Sequence, residues 1–125
     1  ARDMAKKDEE GYYYLVDRKD NMIISGGEHV YPSEVEAIIS QHPKVFDVAV
    51  IGVPDDLWGE AVKAVVILKE GETAAPQDVI EWCRGKMAGY KKPKTVDFIS
   101  PEEMPRTTTG KILHRKLRER YAQQL

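Results

Sequence analysis

Two long apolar runs in the middle of the chain constrain its fold more than any other feature. Val45–Val53 and Glu60–Leu68 are rich in valine and isoleucine, whose branched side chains suit a pleated sheet better than a helix. Pro54-Asp55-Asp56 separates them as a turn, and Glu70-Gly71-Glu72 closes the second run. The pattern predicts an antiparallel strand pair. Before the pair, Pro32-Ser33-Glu34-Val35-Glu36 reads as a helix start. Ser33 is the expected cap, and Glu36 completes a capping box. Val35, Ile38 and Ile39 follow at helical spacing, and His42-Pro43 ends the element. After the pair, a second helix is predicted from about Pro76 to Ala88. It buries Val79, Ile80, Cys83 and Met87 and is capped by Gly89. Thr95–Ile99 reads as a short strand. Ser100–Lys111 reads as a long loop. A last helix from about Ile112 carries Leu113, Leu117 and Tyr121. Near the start, Tyr12–Val16 and Met22–Ile24 flank the charged tetrad Asp17–Asp20 and predict a β-hairpin. The expected class is α+β: a small sheet, built of a β-hairpin and a mixed strand group, with about three helices packed on it.

Composition narrows the function classes. The 125 residues suit one globular domain, with 42% hydrophobic and 32% charged residues. Nineteen basic residues against 21 acidic ones leave a net charge of −2. A general nucleic-acid binder needs clustered excess positive charge, so that class is disfavoured. The longest aliphatic run, Ala64–Leu68, is far short of the ~20 apolar residues that span a bilayer. A single cysteine, Cys83, excludes an internal disulfide and a multi-cysteine zinc site. With no signal peptide, the expectation is a reducing, cytoplasmic setting. The chain does not open with Met, which fits a piece of a longer polypeptide.

Five clusters can carry chemistry. Pro105-Arg-Thr-Thr-Thr-Gly-Lys111 is an adaptable loop that ends in a point cation, Lys111, suited to offsetting charge on a phosphate or carboxylate. It is not a Walker A loop, because Pro105 and Ile112 stand where glycine and Ser/Thr are required. Asp17-Arg18-Lys19-Asp20 places an arginine beside a hinge-like turn. Gly26-Gly27 lets backbone amides approach a ligand. Tyr90-Lys91-Lys92-Pro93-Lys94 fixes three lysines around a proline. Trp58, in a polar turn, can stack on a ligand or shield one end of the sheet. Each cluster alone has an ordinary reading as a solvated turn or loop. His29, His42 and His114 show no metal-ligand spacing and read as structural or surface groups. Trp82 carries no evident role.

Order and separation change the weight of these signals. Residues 11–36, from Gly11-Tyr-Tyr-Tyr-Leu-Val-Asp-Arg-Lys-Asp through Ser25-Gly-Gly-Glu-His-Val-Tyr-Pro-Ser-Glu-Val-Glu36, resemble a signature of the adenylate-forming superfamily. So do His42-Pro-x-Val45, Val53-Pro-Asp-x-x-Trp-Gly-Glu60, Tyr90-Lys-x-Pro93 and Pro105-Arg-x-x-x-Gly-Lys111. The resemblance covers almost the whole chain and looks most like CoA ligases of fatty and aryl acids. It implies a C-terminal lid domain over residues 1–125, with a hinge near 17–20 and a large N-terminal partner domain elsewhere in the same polypeptide. That domain would hold the carboxylic acid and most of the ATP site, so the fragment alone would be inactive.

The implied reaction forms acyl-AMP from ATP and an acid, with Mg2+ held mainly through ATP and the partner domain, and then passes the acyl group to CoA. By the same resemblance Lys111 is the lysine of the first step and Asp20 the hinge residue. Arg18 and Asp3 are implied nucleotide contacts. Gly26, Gly27, Trp58, Lys92 and Lys94 are implied CoA contacts. No protein-bound metal is expected. Arg2 stands where the family has glycine, Asn21 where aspartate is frequent, and His29 where asparagine is common. The alternatives are an adenylation domain of the peptide-synthetase type and a non-catalytic interaction domain of the same shape.

Overall fold

The computed structural model describes residues 21–122. Its centre is a three-stranded sheet in the order β3-β4-β5. Strand β3 (Val45–Asp55) pairs antiparallel with β4 (Gly59–Leu68), with Val50 opposite Ala64. Strand β5 (Thr95–Phe98) lies parallel to β4. A second, two-stranded sheet is formed by β1 (Ile23–Ser25) and β2 (Glu28–Val30). Three α-helices complete the described part: α1 (Pro32–Ile39), α2 (Pro76–Cys83) and α3 (His114–Ala122). The α+β expectation, with a hairpin, a mixed strand group and three helices, is met.

The apolar runs are nearly continuous because both faces of the sheet are covered. Val48, Val50, Val62, Ala64, Val66 and Val96 face α1, α2 and the β1–β2 hairpin. Ala49, Ile51, Val65 and Ile67 face α3 through Leu117 and Tyr121. Alternation along each strand sends successive side chains to opposite layers.

Several local expectations are corrected. Ile23–Ser25 pairs with Glu28–Val30 in a hairpin the sequence did not suggest, turned by Gly26 and Gly27, both at positive φ. Tyr12–Val16 lies outside the described residues. Helix α1 has Tyr31 as its N-cap, with no side-chain cap bond. Pro32 opens the helix because its fixed φ is helical and its missing N–H needs no partner. Ser33 therefore sits inside the helix, and Glu36 is free to reach elsewhere. Helix α2 stops at Cys83, five residues early, because Arg84 is extended and Gly85 takes φ +76°. Gly85 supplies the left-handed turn expected of Gly89. Gly89 opens a short 3-10 turn over Gly89–Lys91 instead. Helix α3 begins two residues later than expected, and a 3-10 turn over Pro101–Glu103 interrupts the preceding loop. Trp82 gains a role: its Nε1 donates to the Ile38 carbonyl (2.8 Å), tying α2 to α1.

Candidate functional site

The turn that carries Lys111 is closed by its own backbone. Arg106 and Ile112 form an antiparallel bridge. Thr107 N donates to the Lys111 carbonyl (2.8 Å), and Gly110 N donates to the Thr107 carbonyl (2.9 Å). Gly110 takes φ +93°, a conformation that disfavours any residue with a Cβ. Lys111 N donates to the Thr107 hydroxyl (3.1 Å). Beneath the turn, the Arg106 guanidinium forks. One nitrogen donates to the Gly110 carbonyl (3.0 Å), and the other pairs with Asp47 of β3 (2.5 Å). The side chain of Lys111 is left exposed at the rim of an open cleft of about 540 Å³.

Asn21, Ser33, Glu36, Asp47, Arg106 and His114 line that cleft. Glu36 is its hub. One carboxylate oxygen accepts the Val50 N–H (2.9 Å) and lies 2.7 Å from His114 Nε2. Among the described residues β3 is an edge strand, and there the Val50 amide is satisfied by the carboxylate. Asn21 takes φ +58°, and its amide oxygen accepts from Arg118 of α3 (2.7 Å).

A second constellation sits at the other end of the sheet. Asp55 accepts the Leu57 and Trp58 amides (2.8 and 2.9 Å) and so shapes the β3–β4 turn. Gly26 N donates to the Trp58 carbonyl (2.8 Å), while Ile24 N donates to the Glu60 carboxylate (2.8 Å). The Gly26-Gly27 tip is thereby hung on the Trp-Gly-Glu turn. A Cβ at Gly26 would stand 2.7 Å from the Trp58 ring, so glycine is required for this approach. Lys94 Nζ lies 5.2 Å from the Trp58 ring centroid, within cation–π range. A groove of about 310 Å³ beside Lys94 is lined in part by Lys63, Thr95 and Tyr121. The Tyr121 hydroxyl donates to Asp97 (2.6 Å), and burial together with that carboxylate pushes its ionisation above the usual tyrosine range.

The structure thus gathers Gly26, Gly27, Trp58 and Lys94 at one end. Lys92 makes none of those contacts: half-buried, it acts electrostatically on Glu81 and Cys83 of α2. Lys111 stands at the opposite end. Asp47 beneath the Lys111 turn and Asp55 beneath Trp58 are eight positions apart on β3, which at about 3.3 Å per residue is ~26 Å. Asp3, Arg18 and Asp20 lie outside the described residues. Sequence reasoning missed Glu36, Asp47, Arg106 and His114. Asp47 did leave a signal, as a charge inside an apolar strand run. Among the described residues, no group of three or more His, Cys, Asp or Glu is placed to hold a metal ion. Nor is any helix there long and apolar enough to cross a membrane.

A small α+β unit with an exposed lysine on a braced Gly-Lys turn, and a glycine pair docked on a Trp-Gly-Glu turn, defines a known class. The chain belongs to the family of AMP-binding enzyme C-terminal domains, whose model matches residues 34–111. Among individual proteins, it is 48% identical over 120 residues to a long-chain-fatty-acid–CoA ligase of Mycobacterium tuberculosis, covering 96% of this chain and 23% of that one. It superposes on a solved Mycobacterium tuberculosis fatty acyl CoA synthetase with a TM-score of 0.77 at 49% identity, covering 94% of this chain and 23% of that one. ATP-bound MatB from Rhodopseudomonas palustris matches with a TM-score of 0.77 at 40% identity, over 82% and 20% of the two chains. The chain therefore spans about a quarter of the length of the curated relatives it matches.

Proposed function

We propose that this chain is the mobile C-terminal lid of an ATP-dependent acyl-CoA synthetase, with the hinge near residues 17–20. A carboxylate of the acid attacks the α-phosphate of ATP, and pyrophosphate leaves. Two anions must approach each other in that step. The ammonium of Lys111, on a turn whose backbone is already fixed, offsets their repulsion without reorganising. CoA thiol then attacks the acyl carbonyl, and AMP leaves. Gly26, Gly27, Trp58 and Lys94 meet CoA in this second step. Arg18 and Asp3 would contact the nucleotide, and Lys92 would serve the CoA phosphates only from the flank of α2. A magnesium ion would take its ligands mainly from the ATP phosphates and the large domain. Fatty and aryl acids are the favoured substrates, and a cytoplasmic setting the favoured location.

The observation that carries this reading is the placement of the two constellations at opposite ends of β3. One reaction centre cannot use both at once, so the domain must turn between steps, with Asp20 as the pivot. A peptide-synthetase adenylation domain would need only the Lys111 end for its first step, and the docked Gly-Gly tip at Trp58 favours the CoA ligase. Lys111→Ala in the complete enzyme tests the assignment. Pyrophosphate release falls by roughly 10²–10³, the scale of one lost electrostatic stabiliser, while thioester formation from supplied acyl-adenylate persists. Equal losses in both half-reactions contradict it.

A further inference from the structure

We infer that Arg106 and Asp47 are positioning residues for the adenylation step, acting through the turn that carries Lys111. The inference rests on the role proposed for Lys111. The far side of the turn is held by the Glu36–His114 contact at the start of α3 and by Leu113 N, which donates to the Pro105 carbonyl. The tip is different. Within the turn, backbone bonds and the Thr107 hydroxyl, which accepts from Lys111 N, hold its shape; its tie to the sheet runs from the Gly110 carbonyl, one residue before Lys111, to Arg106 Nη1, while Nη2 of the same guanidinium is locked to Asp47. Asp47 is itself fixed, since its other oxygen accepts the Val48 amide (2.9 Å). A rigid chain of bonds therefore runs from β3 through one planar side chain to the peptide that aims Lys111.

The pair is about one-third exposed on each side, so its Coulombic contribution to stability is small. Its value lies in geometry. A guanidinium spans two acceptors at once with a planar fork, which a lysine ammonium cannot do in the same way. This separates two roles that otherwise coincide. Arg106→Lys keeps a cation beside Asp47 and loses the bridge to Gly110. Arg106→Gln loses both.

The test uses the complete enzyme, with whichever of palmitate, ferulate and acetate the wild type turns over fastest. Pyrophosphate release, thioester formation from the matching acyl-adenylate, and melting temperature are measured for Arg106→Gln, Arg106→Lys, Asp47→Asn and Lys111→Ala. The expected result is a kcat for pyrophosphate release lower by roughly tenfold to a hundredfold in both Arg106 variants, the scale of a misplacement of about 1 Å. KM for ATP and the thioester step stay within about twofold. Melting temperatures of Arg106→Gln, Arg106→Lys and Asp47→Asn stay within about 5 °C of wild type, and Arg106→Lys recovers no more of the rate than Arg106→Gln. A wild-type rate in Arg106→Lys, or a rate loss that tracks the melting temperature across the variants, overturns the positioning role and leaves a structural ion pair. If Lys111→Ala spares pyrophosphate release, or the wild type turns over none of the acids, the proposed function itself fails. If Lys111→Ala is crippled while the Arg106 and Asp47 variants are not, only the positioning inference fails.

Discussion

Gly26→Ala and Gly27→Ala form a matched pair that isolates the approach of the glycine tip to Trp58. Both positions take positive φ, +59° and +83°. An L-residue there costs about 1–2 kcal/mol. On a domain near this size each kcal/mol lowers the melting temperature by roughly 4–8 °C, so both variants melt early. Their surroundings differ. A Cβ at Gly27 meets nothing within 4 Å, whereas a Cβ at Gly26 falls 2.7 Å from Trp58 Cε3 and 3.1 Å from Cζ3. Carbon contacts relax to about 3.5 Å or more, so the indole must shift by ~0.8 Å or beyond. The expected outcome is a comparable loss of stability in both variants, with a changed Trp58 near-ultraviolet circular dichroism and fluorescence signal only in Gly26→Ala. Trp82 packs on Ile38 and His42 instead and contributes equally to both spectra. Thioester formation then falls further in Gly26→Ala than in Gly27→Ala, while pyrophosphate release is unchanged in both. An equal spectral change in the two variants, or none in Gly26→Ala, refutes the close-approach argument.

Two further outcomes follow from the same chemistry. Tyr121 is held neutral by burial and by Asp97, so above about pH 10, where an unfolded tyrosine ionises, the unfolded chain binds fewer protons than the folded one and stability falls as pH rises. Denaturant titrations of wild type and Tyr121→Phe across pH 9–11 check this: the variant is less stable at neutral pH and loses less stability on the alkaline side, and parallel curves contradict the assignment. Asp20→Pro spares pyrophosphate release and blocks thioester formation, because proline fixes the backbone the hinge must rotate; thioester formation at the wild-type rate removes Asp20 from the hinge.

The strand pair, the helices and the α+β class were legible because valine-rich runs and helical apolar stripes are local signals. The failures were local too, and each has a named competitor. Ser33 lost the cap to Tyr31, because the ring of Pro32 pre-sets the helical φ one residue before Ser33. Gly89 lost the role of C-terminal glycine to Gly85, and both glycines were present in the same segment. As candidates, Lys111, Gly26, Gly27 and Trp58 stood out in the sequence because a motif order marks them, and Lys94 because it belongs to a lysine cluster. The brace beneath Lys111 was not, because Arg106 and Asp47 are 59 positions apart and His114 and Glu36 are 78 apart. Pairing at that distance is set by how α1, β3 and the last loop pack, which no local window contains. Glu36 shows the point most directly. Local spacing made it a capping residue, and packing made it the hub of the cleft.

The central claim is that the two ends of β3 serve two different half-reactions. The most direct measurement is a crossed comparison in the complete enzyme: Lys111→Ala and Trp58→Ala, each assayed for pyrophosphate release and for thioester formation from supplied acyl-adenylate. The account predicts opposite losses, with Lys111→Ala impaired in the first reaction and Trp58→Ala in the second. Parallel losses in both reactions for both variants would place the two ends in one centre and contradict it.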